Sequence, residues 1–302
     1  MISAKYIDGS IGVLVRIGTT LAIFSAALLL APLLAGAEEH ETGTGLEDDG
    51  DVEAKVVAEL ETEPSATELA RQDQNPITRF YVMRFEDNVQ LGYGPHNEAQ
   101  NFFRFQPLVP IELGQDWTVL TRFIIPIVHQ PWPRSSDGLG DISLIAFLTP
   151  ARVSRFIWGF GPAMLVPTAT DKTMGFEKWS AGPAVAAVYT TESWVVGFVA
   201  QNLWSFSGDD EREEVSLMSL RPLLNYNLPD GWYLTTSPSI LANWQGDDDS
   251  RWLVPVGGGV GKVFALGGQR LSTTVESYYH AETPGIGPEW QMRMQLSFLY
   301  PD

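Results

Sequence analysis

The 302-residue chain has no cysteine and only four histidines, His40, His96, His129 and His280. Without a thiol there is no disulfide framework, no thiolate-held zinc or iron–sulfur centre, no cysteine nucleophile and no lipidated cysteine. Positive charge is scarce as well: 19 lysines and arginines face 37 acids, a formal net charge of −18. Nucleic acid, which demands a basic footprint, is thereby excluded as a partner. Charged residues amount to 19% and apolar ones to 44%, too apolar for a disordered polymer. Beyond residue 37 no apolar run reaches the roughly 18 residues of a spanning helix.

What is present begins with an address. Lys5 and Arg16 precede an apolar run from Leu21 to Leu34, closed by Ala35-Gly36-Ala37. That order predicts a secretory signal peptide over 1–37 and an exported mature chain. Residues 38–75 then hold 13 acids, only two basic residues (Lys55 and Arg71), and no aromatic residue. Such a segment buries too little apolar surface to offset its ordering entropy and is expected to lack fixed structure. Val52, Val56, Val57 and Leu60 allow one short amphipathic helix before Pro64, and a lumen plug or a partner contact is the alternative use of the segment.

From residue 77 the apolar pattern has period two. Trp290, Met292, Met294, Leu296, Phe298 and Tyr300 alternate with Gln291, Arg293, Gln295 and Ser297, with Leu299 breaking the rule. A helix would scatter these residues around its circumference, whereas a strand puts them on two faces. The same test places about twelve strands, near 77–93, 100–113, 117–128, 139–149, 156–167, 179–190, 194–206, 215–226, 232–244, 252–264, 270–279 and 289–300. The intervening gaps are alternately short and long, as in outer-membrane barrels with short periplasmic turns and longer outer loops. An even strand number puts both ends of the barrel domain, 76–302, in the periplasm.

Aromatic residues decide which face is oily. Trp232 and Trp244 bracket one strand, Trp290 and Tyr300 another, and Trp117, Trp194 and Trp252 are also terminal. Girdles at both ends suit the two membrane interfaces, and about ten residues tilted by about 40° span roughly 25 Å. The wet face, projected inward, carries Arg104, Gln106, Glu112, Arg122, Arg221, Glu276 and Arg293. These charges either pair structurally or line a polar passage and set its selectivity. Prolines at 107, 126, 162, 222, 238 and 255 each forfeit a ladder bond and are expected at bulges or strand ends.

Three weaker signals carry no site. Gly257 to Lys262 resembles a phosphate loop, but Val256 and Val263 stand where glycine and Ser/Thr are required. His129 lies near Ser135, Ser136 and Asp137 without any G-x-S-x-G elbow. Asp209-Asp210-Glu211 and Asp247-Asp248-Asp249 fall in long gaps and read as solvated loop tips. No metal, cofactor or catalytic residue is therefore expected, and the chain is not read as an enzyme.

Ordered short motifs across some 225 residues carry a family resemblance: Asn75-Pro76; Asn101 with Gln106-Pro107-Leu108-Val109-Pro110; Asp116-Trp117; Leu120-Thr121-Arg122 with Ile125-Pro126; Gly138-Leu139-Gly140-Asp141-Ile142; Trp158-Gly159 with Gly161-Pro162; Pro167-Thr168-Ala169-Thr170-Asp171; Lys178-Trp179 with Ala181-Gly182-Pro183; Gly267-Gly268-Gln269; Tyr278-Tyr279; and Gly287-Pro288-Glu289-Trp290. In these the chain resembles the outer-membrane "transporter" barrels known as putative MetA-pathway phenol-degradation proteins, some of which carry the misnomer neuromedin U. The resemblance implies an outer-membrane barrel and hints at an aromatic solute. It brings no catalytic residues, and the acidic leader departs from the family's short N-terminus. The expectation is a closed antiparallel transmembrane β-barrel of about 12 strands, all-β and of the outer-membrane type. It would be a passive channel for small solutes, possibly aromatic or hydrophobic compounds, with a plugged structural barrel or an outer-membrane enzyme as the alternative. Its expected partners are the lipid bilayer, lipopolysaccharide, the outer-membrane assembly machinery and a small-molecule solute.

Overall fold

The computed structural model describes residues 65–152 and 154–300. The expected signal peptide, the leader up to residue 64 and the short helix anticipated before Pro64 lie outside the described residues.

Fourteen antiparallel strands form one sheet that closes on itself. They are β1 (Tyr81–Tyr93), β2 (Glu98–Leu113), β3 (Trp117–Gln130), β4 (Ser136–Leu139), β5 (Ile142–Pro150), β6 (Phe156–Val166) and β7 (Lys178–Thr190), followed by β8 (Trp194–Gly208), β9 (Ser216–Asn227), β10 (Trp232–Thr236), β11 (Ile240–Asn243), β12 (Trp252–Leu266), β13 (Gln269–Glu282) and β14 (Trp290–Tyr300). β4 and β5 both pair with β3, and β10 and β11 both lie between β9 and β12, so each couple is one broken stave and the wall has twelve. The seam joins first strand to last, from Tyr81 opposite Tyr300 to Leu91 opposite Trp290. Closure leaves no sheet edge, which is what a bilayer requires of backbone amides.

The faces fall as the period-two pattern requires. On β14, Arg293 is 2% exposed while Trp290 is 47% exposed. Trp117, Trp194, Trp244 and Tyr300 are likewise exposed at strand ends. Rim aromatics also meet in pairs, Trp194 with Tyr226, Trp244 with Trp252 and Tyr279 with Trp290 between adjacent staves, and Trp117 with Trp158 across the intervening β5. Trp232 is half-buried, with the Lys262 ammonium 4.8 Å from its ring centroid.

Two wall features depart from the sequence reading. Along β5, β6 and β7 the inward positions Ile145, Phe147, Ala163, Leu165, Ala184 and Ala186 are apolar and buried. One side of the lumen is therefore apolar, which alternation could not reveal because both faces of these strands avoid polar groups. The prolines also divide. Pro238 falls in the break between β10 and β11, and Pro255 at the register shift of β12, as expected; Pro107, Pro126, Pro162 and Pro222 lie inside continuous strands. Around Pro238 neither neighbour is paired. Ladder contacts to β9 stop at Thr236 and resume at Ile240, and those to β12 stop at Thr235 and resume at Leu241.

Ahead of β1 a short helix, α1 (Ala66–Asp73), enters the barrel at the end of the short turns. Ser65 caps it, its Oγ accepting from the Glu68 N–H at 3.2 Å. This helix lies within the stretch 38–75 that composition alone would leave without fixed structure. Leu69, Ala70, Ile77 and Phe80 are buried in one cluster with the wall residues Leu120, Tyr233, Val263 and Leu299. Burying each large side chain stabilises by about 1.5–3 kcal/mol, so the barrel interior supplies the partner surface that the segment lacks alone. Inward-facing Leu299, the exception to the alternation of β14, belongs to that cluster. Gly261 of β12 serves the same interior: a Cβ there would stand 2.2 Å from the Tyr233 ring.

Candidate functional site

Three cavities succeed one another from the long-loop end towards α1. The outermost, about 580 Å³, lies among Phe176, Glu211, Arg212, Glu214, Asn243 and Arg251. It shares Phe176, Leu241 and Leu253 with a second cavity of about 330 Å³ inside the barrel. The second shares Arg122, Val199 and Arg221 with a third of only about 60 Å³, whose far side is Asp73, Gln74 and Pro76. The series therefore narrows from outer loops to an arginine constriction and ends on the N-terminal segment.

That segment closes the short-turn mouth and is tied to four parts of the wall. Arg84 Nη2 donates to Asp73 Oδ1 at 2.9 Å, and Gln74 Nε2 donates to Asn227 Oδ1 at 2.8 Å. Arg71 Nη1 reaches the Glu192 carbonyl at 3.3 Å, and Arg79 Nη2 the Pro150 carbonyl at 3.0 Å. Partial burial lowers the Arg79 pKa from its ordinary value.

The middle cavity is two-sided because the wall is. Ile124, Val128, Ile145, Leu165 and Val199 supply an apolar side, and Glu86, Arg104, Gln106, Arg122 and Arg221 a polar floor. Arg104 Nη1 donates to Glu86 Oε1 at 2.9 Å, and Arg221 Nη2 stands 3.5 Å from Glu86 Oε2. Arg122 Nη2 donates to the Gln106 amide oxygen. Deeper in the wall Arg293 holds Glu276, Nη2 to Oε2 at 2.6 Å and Nε to the same oxygen at 2.7 Å. Arg293 Nη2 also donates to the carbonyl and the hydroxyl of Ser237, at 2.9 and 2.6 Å, and the Ser237 N–H donates to the Tyr278 hydroxyl at 2.9 Å. The unpaired backbone of the broken stave is thereby gripped from inside.

Of the sequence-derived lumen residues, Arg104, Arg122 and Arg221 gather at the constriction. Arg293 and Glu276 form a buried ion pair beside it, with only Glu276 reaching the innermost cavity. Glu112 stands apart from them: it shares the parity of Arg104 but lies near the end of β2 opposite Thr118, exposed, because parity fixes a face and not a depth. Glu86, Arg84 and Asp73 escaped the sequence reading. The alternating polar positions 84, 86, 88 and 90 of β1 carried the signal for two of them.

The loop motifs prove to be mutual clasps. Asp141 Oδ1 accepts from the Ala169 N–H at 3.1 Å, and Oδ2 from the Phe176 N–H at 2.7 Å. Asp171 accepts from the N–H and the hydroxyl of Thr173 and from Arg134, which together hold its carboxyl below the ordinary carboxylate pKa. His129 Nδ1 contacts Asp137 Oδ1 at 2.9 Å, while the Ser136 hydroxyl lies 3.3 Å from that of Thr173. His129 and Asp137 thus meet each other, while the Ser136 hydroxyl turns to Thr173 instead. Among the described residues no three His, Asp or Glu side chains are placed to hold a metal ion, and Asp209 instead accepts from the Glu211 N–H.

No protein-family profile matches the chain, and no curated protein matches it. Solved structures do. An outer membrane channel from Pseudomonas putida F1 is similar at 16% identity with a TM-score of 0.57, over 76% of this chain and 98% of that one. Outer membrane phospholipase A from Escherichia coli aligns at 15% identity and a TM-score of 0.43, over 79% and 99%. A FadL homologue from Pseudomonas aeruginosa gives 9% and 0.39, over 78% and 92%. The first of these likenesses shows the fold: the chain is a closed twelve-stave antiparallel barrel of the outer-membrane type.

Proposed function

We propose that the protein is a passive outer-membrane channel for small solutes, hydrophobic or aromatic compounds among them, and that its N-terminal segment stoppers the periplasmic mouth. The observation that carries this reading is the succession of three cavities, each sharing lining residues with the next, from outer loops to the stopper. A barrel serving only as an anchor has no need of a graded interior. The fold supports residence in the outer membrane, with the short turns and the stopper on the periplasmic side. Diffusion down a gradient needs no cofactor and no catalytic group, so the reading is of a non-enzyme. The likeness to a bacterial outer-membrane channel favours a channel, and the resemblance to phenol-degradation barrels hints at an aromatic solute.

Planar-bilayer recording of the mature chain and of a chain beginning at Pro76 tests the reading. The expected result is a small conductance for the mature chain and a several-fold larger one for the shortened chain. Silence of both at all voltages, with the fold intact, would instead establish the plugged structural barrel, which the seated α1 specifically favours as the second reading.

A further inference from the structure

We infer that the middle cavity binds a small amphipathic anion, a carboxylate on an apolar body about one ring in size, with its charge on Arg122. The inference rests on the channel reading and names the solute class of that same site.

The charge balance of the constriction is the first ground. Arg84, Arg104, Arg122, Arg221 and Arg293 converge there, and the carboxylates that meet them are Asp73, Glu86 and Glu276. Glu86 serves both Arg104 and Arg221, so two positive charges are in excess. Among the described residues Arg122 is the arginine of this set with no carboxylate in contact; its recorded partner is the neutral amide of Gln106. Yet Arg122 borders both the middle and the innermost cavity. A half-buried guanidinium facing a cavity attracts an anion more strongly than water alone would, and its fork matches a carboxylate bidentately.

The second ground is the wall opposite. Ile124, Val128, Ile145, Leu165 and Val199 offer no hydrogen bond, so an inorganic anion would leave its hydration shell unreplaced on that side. An apolar body removes the mismatch. A cavity of about 330 Å³ is about twice the roughly 150 Å³ that accommodates benzene, room for one ring and its carboxylate. The other charge on this wall, Asp141, has both oxygens committed to backbone N–H groups. The acids of the outer cavity, Glu211, Glu213 and Glu214, face open solvent, where salt screens them within about 8 Å. Glu214 is further tied to Lys178 and Ser205.

The test is equilibrium binding of benzoate and of its neutral isostere benzamide to the full-length barrel in detergent, with uptake of both into proteoliposomes. Wild-type protein should bind benzoate about tenfold to a hundredfold more tightly than benzamide, the range of a charge-assisted hydrogen bond. Arg122→Gln should abolish that preference by weakening benzoate far more than benzamide, and Arg122→Lys should restore part of it. Heat-modifiable gel mobility confirms that each variant is folded. Equal affinity for the two probes in wild type would overturn the anion assignment, and continued uptake would then leave the channel reading standing. A preference surviving Arg122→Gln would overturn the role of Arg122. Binding and uptake of neither probe would overturn the inference and the channel reading together.

Discussion

Arg293 and Glu276 are 2% and 3% exposed in their side chains and satisfy one another, so removing one strands the other. Glu276→Gln leaves Arg293 charged and buried without its counter-ion, and a loss of about 3–5 kcal/mol is expected. Thermal unfolding in detergent, followed by the gel shift between boiled and unboiled protein, reads that loss. Gly261→Ala tests crowding of another kind. The new methyl meets the Tyr233 ring, and overpacking should cost about 1–3 kcal/mol, a cost that should shrink when the same change is made in a Tyr233→Ala background. The rim aromatics could be read from the sequence because the interface dictates residue type locally. Glu86 stands opposite Arg104 in the β1–β2 hairpin, but its partnership with Arg221 could not be read, since only the closed ring brings β9 to face β1.

At the scale of elements, α1 and the broken stave behave oppositely. The stopper is fastened by buried Leu69, Ile77 and Phe80 and by the Asp73–Arg84 bridge. Asp73→Ala, which loosens the bridge and keeps the apolar contacts, should raise the conductance part of the way towards that of the shortened chain. Composition hid this helix because Leu69 and Ala70 are its only buried apolar residues and their complement is made by distant strands. The stave broken at Pro238 leaves amides at bilayer depth without ladder partners, and such backbone is tolerated only against protein or a wet cavity. Hydrogen exchange at Ser239 should therefore run much faster than at 233–235. Asp171 adds a pH-sensitive clasp in the loop 167–177. Because its folded pKa lies below the ordinary carboxylate value of about 3.9, the clasp contributes fully above that value and is lost as pH falls through the lower one. Limited proteolysis of this loop should be flat from neutral pH to about pH 5 and accelerate only below about pH 4.

The molecule as a whole turns an ordinary protein inside out along half its wall and not along the other. Near β1, β2, β13 and β14 the interior is ionic, and the alternation of polar and apolar residues gave the inward face of β14 position by position and that of β2 and β13 at Arg104, Gln106 and Glu276, while Arg84 and Glu86 of β1 went unread. Along β5 to β7 the interior is as apolar as the exterior; there the strands could be read from length and turns, but the character of the lumen could not. Solubilisation should accordingly need detergent, and the unboiled protein should run as a compact band that shifts on heating; extraction by buffer alone would contradict the outward-facing aromatics. The seam between β1 and β14 has one more consequence. α1 is tethered directly to β1, one side of that seam, and the contacts of the N-terminal segment reach from Asn227 to Leu299. No nest for Leu69 and Phe80 exists until the ring is complete. The cork can be seated only in a finished bottle, so during biogenesis every copy passes through an unstoppered stage.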